Sequence, residues 1–129
     1  MTNREVIERC YAAFNNGDMV EWAKFCHPNA KFHTLGNLPT SGVFTGPEDI
    51  IHGCLSKIPM FWSNFQVKIR NIYEAGDTCF VHCDMTARNL TTEGLHMMRI
   101  SNDQFTFFQA FDDTGQMQAA MEQRAAGAN

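Results

Sequence analysis

The sequence has no cluster of basic residues and no long apolar segment. Its ten lysines and arginines are scattered singly among 129 residues, and fourteen acidic residues bring the net charge to −4. Nucleic acids and anionic membranes attract basic stripes or patches, so neither is an expected partner. The first residues run straight into an amphipathic helix without an apolar signal core, and no stretch approaches the ~20 apolar residues of a membrane span. We therefore expect a cytoplasmic protein.

Motifs for disulfides, metals and phosphates are also missing. The five cysteines are an odd number in apolar neighbourhoods, which favours reduced thiols used as small core residues. No Cys-x-x-Cys or His-x-x-x-His spacing is present, so a zinc site is not expected. The chain also has no glycine-rich phosphate-binding loop and no sequence motif typical of a Ser-His-Asp catalytic triad. The sequence thus predicts chemistry without a metal or a cofactor.

Helical spacing of apolar residues comes first in the chain, and alternation with a period of two follows. Predicted helices cover Thr2–Asn16, Met19–Cys26 and a segment opened by Pro47, with a strand at Ala30–Leu35 and a loop at Gly36–Gly46 between them. Later strands are predicted at Phe65–Tyr73, with a bulge near Ile72, and at Thr78–Leu90, followed by a turn at Thr91–Gly94. This order indicates a single α+β domain over residues 1–129, with helices against one face of a bent sheet and a frayed tail at about 123–129.

The last two predicted strands, within Gly94–Asp113, carry the residues best suited to catalysis. Because side chains alternate along a strand, each strand presents one set of residues to the same side. These sets are His96, Met98 and Ile100 on the first strand and Phe108, Ala110 and Asp112 on the second. If both sets face one concave surface, a histidine and an aspartate share an apolar pocket and are coupled. Two alternatives stay open: an aspartate here only caps a helix at about 114–123, or His96 is a core histidine.

The predicted pocket combines these strands with the first helix and the earlier strands. His96 and Asp112 are its predicted catalytic pair. Its predicted ligand-binding residues are Tyr11, Phe14, Phe32, Thr34, Cys83, Met85, Met98 and Phe108. The remaining histidines, His27, His33, His52 and His82, lie on polar sides of strands or near helix ends and are interpreted as structural or solvated.

The opposite sides of the last two strands are too apolar for a face left in water. The residues predicted there include Phe105, Phe107, Phe111, Met97 and Leu95. A two-fold axis through the sheet would bury this patch against itself. The sequence therefore predicts a homodimer through the outer sheet face, with a carboxy-terminal helix folded over the patch as the alternative.

Several segments resemble one known superfamily. They are Cys10–Asp18, Trp22–Phe25, His27–Phe32, Gly42–Ile50 and the ending Phe111-Asp112. Over nearly its whole length the chain resembles the nuclear transport factor 2-like superfamily, and within it the SnoaL-like group related to polyketide cyclases and ketosteroid isomerases. The resemblance implies a cone-shaped α+β barrel with three amino-terminal helices wrapped on a curved antiparallel or mixed sheet around a pocket. That fold hosts isomerases, dehydratases, cyclases and non-enzymatic binders.

The catalytic groups of ketosteroid isomerases are not matched in this chain. The resemblance puts their catalytic aspartate at about Thr34, their helix tyrosine at about Cys10 and their protonated acid at about His96, so their mechanism is not expected. A polyketide cyclase needs one pocket base near an acidic substrate carbon, which His96 or Asp112 would supply. We expect an enzyme of isomerase, cyclase or dehydratase type that acts by general acid–base catalysis on a small apolar carbonyl compound. The alternatives are a non-catalytic binding module for a small apolar ligand and a purely structural dimer.

Overall fold

The computed structural model describes residues 1–122, which form five α-helices and six β-strands. The helices are α1 (Asn3–Asn15), α2 (Met19–Lys24), α3 (Gly46–Gly53), α4 (Ile58–Phe61) and α5 (Thr114–Ala119), and a 3₁₀ turn at Leu55–Lys57 precedes α4. The strands are β1 (Cys26–Thr34), β2 (Gly42–Thr45), β3 (Gln66–Ala75), β4 (Thr78–Ala87), β5 (Leu90–Ser101) and β6 (Gln104–Asp112). The predicted fraying of residues 123–129 lies outside the described residues.

The six strands form one open, mixed sheet. Their order is β2-β1-β6-β5-β4-β3, so β2 and β3 are the edges and the sheet does not close on itself. From β3 to β6 each strand pairs antiparallel with the next, whereas β1 pairs parallel with β6. The predicted α+β class, with helices packed on a mixed sheet, is confirmed.

The first helix begins at a capping box. The Glu5 backbone N–H donates to Thr2 Oγ1 at 3.1 Å, and the Thr2 N–H donates to Glu5 Oε1 at 2.8 Å, which satisfies two amide donors that the helix leaves open. The apolar stripe that follows is buried and consists of Val6, Ile7, Cys10, Tyr11 and Ala13. This stripe packs against the inner face of the sheet and places a phenol over it.

Several segments differ from the predictions. β1 starts at Cys26, because pairing with β6 captures the segment predicted to end α2, and the Phe105 N–H donates to the Phe25 carbonyl at 2.8 Å. β2 was predicted as loop, because four residues are too few to show alternation, and it forms by pairing with β1. The turn between β4 and β5 lies at residues 88–89, so the predicted turn at Thr91–Gly94 is wrong and those residues belong to β5.

Two β-bulges reverse the side-chain parity of their strands. The bulge predicted near Ile72 is present two residues earlier, at Arg70. A second bulge, at Thr106, was not predicted: Arg99 lies opposite Phe107, but Ile100 lies opposite Phe105. The extra residue turns Phe105 into the core, where it is 1% exposed. The prediction that Phe105 lies on the outer face is therefore wrong.

The core lies between the helices and the inner face of the sheet. Aromatic rings dominate it: Phe32 stacks on Phe108 at 4.2 Å between centroids, and Trp22 meets Phe105 edge-on at 5.6 Å. Trp62 is 1% exposed, and its Nε1–H donates to the Met117 carbonyl at 2.8 Å, which ties α5 to the segment after α4. Within residues 1–122, no helix is both long and apolar enough to cross a membrane.

Candidate functional site

Two pairs of cross-strand neighbours bring the predicted catalytic residues to the inner face. His96 lies opposite Ala110, and Gly94 lies opposite Asp112. Direct cross-strand partners point to the same side of a sheet, and here that side carries the helices. His96 is 5% exposed and the Asp112 side chain is 15% exposed. The structure thus brings His96 and Asp112 together at one site.

The His96 ring joins two other polar side chains. Its Nε2 lies 3.0 Å from Asp112 Oδ1, and its Nδ1 lies 2.5 Å from the Tyr11 hydroxyl oxygen on α1. Cys83 Sγ touches the ring from the neighbouring strand, 3.8 Å from each nitrogen. Tyr11, His96 and Asp112 therefore form a continuous hydrogen-bonded unit, which we call the Tyr-His-Asp array.

The charge of Asp112 controls the protonation of the array. Burial lowers the pKa of His96, but the negative charge and hydrogen bond of Asp112, helped by Cys83, outweigh burial and raise that pKa to about 10. Burial raises the pKa of Tyr11 well above its usual value, so its phenol stays protonated. At neutral pH the ring is an imidazolium that donates Nε2–H to Asp112 and Nδ1–H to the Tyr11 oxygen. The hydroxyl hydrogen of Tyr11 is then available to a ligand.

The neighbouring aspartate has a different role. Asp113 Oδ1 accepts a hydrogen bond from the Gln116 N–H at 3.1 Å, so Asp113 caps the start of α5. Asp112, one residue earlier, is still in β6 and points to the inner face. The helix cap is therefore Asp113, whereas Asp112 lies on the inner face beside His96.

A mostly apolar cavity of about 100 Å³ lies against the array. A single water molecule needs roughly 10–15 Å³, so the space suits a small organic ligand. The predicted site residues at its wall are Tyr11, Phe14, Phe32, Thr34, Met85, His96, Met98, Phe108 and Asp112. Cys83 is not at the wall, because the His96 ring leans over it from the next strand and leaves the thiol 0% exposed.

Sequence reasoning missed part of the cavity wall. Phe105 lies there because of the bulge at Thr106, and Trp22 reaches it from α2. The loop after β1 also contributes, through Leu35, Leu38 and Thr40. Thr34 Oγ1 donates to the Thr40 carbonyl and holds this loop against the strand. A loop has no periodicity, so no pattern in the sequence indicated its contribution.

Two other polar side chains of the sheet point away from the cavity. His82 bonds Glu93 at 2.8 Å on the opposite side of the sheet, and Gln109 also has the outward parity. Among the described residues, no lysine or arginine lines the cavity. Nor does any group of three or more His, Cys, Asp or Glu side chains within residues 1–122 have an arrangement that would hold a metal ion.

A family model and several solved structures match this chain. The model, described as a SnoaL-like domain, matches residues 7–118. No curated protein matches the chain.

Three solved structures illustrate the similarity of fold. Bal32a, from a soil-derived mobile gene cassette, is 21% identical with a TM-score of 0.83, covering 93% of this chain and 96% of that chain. IdmH, a putative polyketide cyclase from Streptomyces antibioticus, is 17% identical with a TM-score of 0.80, covering 93% and 98%. TerC, co-crystallised with polyporic acid, is 21% identical with a TM-score of 0.80, covering 92% and 96%. At such identities the similarity shows a shared fold and no more.

Proposed function

Because this chain belongs to the SnoaL-like domain family, we propose that it is an enzyme acting by general acid–base catalysis on a small apolar carbonyl compound. The observation that carries the proposal is the Tyr-His-Asp array at the wall of an apolar cavity. A proton donor and a proton acceptor facing one cavity are the minimum for moving a proton on a bound carbonyl compound. IdmH, which shares this fold, is a putative polyketide cyclase, so the fold is compatible with a reaction of this type.

Tyr11 is the proposed proton donor. With His96 protonated, Nδ1–H donates to the phenol oxygen, so the phenol hydrogen points away from the ring. A hydroxyl that accepts a charged hydrogen bond is polarised and donates more strongly in turn. In an apolar cavity such a donor stabilises the negative charge that develops on a carbonyl oxygen as an enolate forms.

Asp112 is the proposed base. Its Oδ1 accepts from His96, and its second carboxylate oxygen is the one proposed to take the substrate proton. A carboxylate is a weak base, so the substrate needs an acidic carbon, such as one between two carbonyl groups. The proton moves from that carbon to Asp112 while Tyr11 holds the enolate oxygen. Return of the proton from Asp112 to another carbon gives isomerisation. In cyclisation the enolate carbon attacks a second carbonyl carbon, whose π electrons move to its oxygen, and that oxygen takes the proton from Asp112.

Hydrogen–deuterium exchange at the central carbon of a small 1,3-diketone tests this function. We expect the protein to accelerate exchange in D₂O, followed by NMR, with a bell-shaped dependence on pH. Asp112→Asn removes the base and should slow exchange by ~10²-fold or more. Tyr11→Phe removes the donor and should slow it by ~10²–10³-fold. Tyr73→Phe, at an exposed tyrosine of β3, is the matched control and should keep the wild-type rate.

A non-catalytic binding module is the second candidate function. Every buried side-chain nitrogen or oxygen within residues 1–122 has a hydrogen-bond partner, so each buried polar atom of the array keeps at least one hydrogen bond without a ligand. A pure binder would give saturable quenching of Trp22 fluorescence by the diketone, because Trp22 lines the cavity, with exchange no faster than in buffer. That combination would replace the enzymatic proposal.

A further inference from the structure

We infer that Gly94 is a positioning residue, because its missing side chain leaves the space in which Asp112 and His96 meet. The inference rests on the proposed function of the Tyr-His-Asp array. Gly94 lies within β5, directly opposite Asp112 on β6 and opposite Cys83 on β4. Glycine weakens the interior of a strand, and where it occurs it often marks the close approach of another group.

The close approach at Gly94 involves one oxygen atom. A Cβ added at this position would lie 2.0 Å from Asp112 Oδ1 and 3.0 Å from its Cγ. Oδ1 is the atom that accepts the hydrogen bond from His96 Nε2. Gly94 is absent from the glycines with positive φ, so its backbone is one that alanine adopts easily. Glycine is therefore required for a steric reason, because a Cβ at this position would collide with the Asp112 carboxylate.

The imidazole ring is hydrogen-bonded to the oxygen that occupies this gap. His96 is two residues along β5 from Gly94 and points to the same side of the sheet. Its ring contacts Cys83 at 3.8 Å and Asp112 at 3.0 Å, the two residues that flank Gly94 across the sheet. A methyl group at position 94 would displace Oδ1 from the position in which it accepts the hydrogen bond from His96 Nε2.

The other neighbour of the added Cβ is able to move. Met85 Cε would lie 3.2 Å away, and a methionine end group shifts at little cost. The carboxylate has no such freedom while it keeps its bond to His96. Alanine at position 94 should therefore separate the two charged groups before it disturbs the packing around them.

The titration of His96, followed by NMR, tests this inference. Gly94→Ala should lower the pKa of His96 towards its value in Asp112→Asn, and it should slow diketone exchange. Gly53→Ala is the matched control, because a Cβ there would also collide, at 2.5 Å with the Phe44 ring, but away from the array. Gly53→Ala should lose stability and leave the titration of His96 unchanged. An unchanged titration in Gly94→Ala would overturn the inference.

A double variant keeps the test decisive if Gly94→Ala does not fold. In an Asp112→Ala background the colliding carboxylate is gone, so adding Gly94→Ala should leave the melting temperature unchanged or raise it. An equal loss of melting temperature in both backgrounds would show that Asp112 is not what requires glycine. The titration needs no turnover: a wild type that does not accelerate exchange counts against the proposed enzyme alone, while a lowered His96 pKa in Gly94→Ala still supports the positioning role.

Discussion

Two opposing effects act on the pKa of His96: burial of the ring lowers it, and the charge of Asp112 raises it. Burial by itself favours a neutral ring with a pKa below the ordinary histidine value of ~6.5, whereas the carboxylate raises the pKa to about 10. Breaking such a pair by removing one partner leaves an uncompensated charge in an apolar site. The protonation of this one residue also decides the direction of its hydrogen bond with Tyr11.

Removing the charge of Asp112 should lower the pKa of His96 below the ordinary histidine value. In Asp112→Asn the burial effect remains and the attraction is lost, so we expect the pKa of His96 to fall from about 10 to below ~6.5. Titration of the imidazole protons by NMR measures this change. Asp84→Asn, which removes a carboxylate paired with Arg70 on the outer side of the sheet, should leave His96 unaffected. Identical His96 titrations in wild type and Asp112→Asn would mean that the two groups are not coupled.

The same pair should make stability depend on pH. The folded pKa of His96 lies above the unfolded value of ~6.5, so the stabilisation is fully present below that pH and is lost as pH rises through about 10. Above pH ~6.5 the free energy of unfolding should fall with a limiting slope of about 1.4 kcal/mol per pH unit. Urea unfolding between pH 6.5 and 8.5 measures this slope. Asp112→Asn should flatten it, and parallel curves for the two proteins would contradict the assignment.

Because of its bulge, strand β6 places one phenylalanine in the core and the next on the outer face of the sheet. Before the bulge Phe105 packs in the core with Trp22, and after it Phe107 faces outward with the Arg99 guanidinium 5.0 Å above its ring. In a regular strand without this bulge, Phe105 and Phe107 are two residues apart and would point to the same side.

Because of the bulge, alanine substitutions at Phe105 and Phe107 should lower the free energy of unfolding by different amounts. Phe105→Ala removes a fully buried ring and should lower the free energy of unfolding by about 3–5 kcal/mol. Phe107→Ala, at a half-buried position, should cost less than half as much. Urea unfolding of both variants at one pH measures the difference. Equal losses would show that the two rings occupy similar environments.

At the scale of the whole molecule, the outer face of the sheet leaves apolar side chains in solvent. Leu95 and Phe111 are cross-strand partners that are 38% and 44% exposed, and Tyr73 on β3 is 53% exposed. Helix α5 does not cover them, because its buried Met117 turns to the cavity and to Trp62 on the other side. We propose that a second copy of the chain covers this face. The side chains of Met97 and Phe107 also point outward, which favours this proposal.

Replacing one residue of this face should prevent dimer formation. Each large apolar side chain that becomes fully buried contributes about 1.5–3 kcal/mol, and a two-fold axis counts each one twice. Sedimentation at micromolar concentration should give a dimer for wild type and a monomer for Phe111→Glu. Val20→Glu, at a 78% exposed apolar residue on α2, is the control and should remain dimeric. A monomeric wild type would rule out the proposed interface.

The shared face of His96 and Asp112 follows from the pattern of residues along the two strands. Side chains alternate with a period of two, and β5 and β6 run without a bulge from Gly94 to Arg99 and from Phe107 to Asp112, so parity alone predicts the inward direction of both residues. Helical spacing of apolar residues likewise indicated a first helix from Thr2, and a capping aspartate before the last helix was one of the two open alternatives.

The assembly of this face into a site depends on how distant elements of the chain pack together. The Tyr11–His96 hydrogen bond joins residues 85 positions apart, and it depends on the rotation of α1 above the sheet, which helical periodicity does not specify to the accuracy of one bond. The bulge at Thr106 arises where β6 must pair with β1 on one side and β5 on the other, and it reversed the predicted side of Phe105. Local patterns set the direction of a side chain relative to its own element, whereas distances between elements follow from how the whole chain packs.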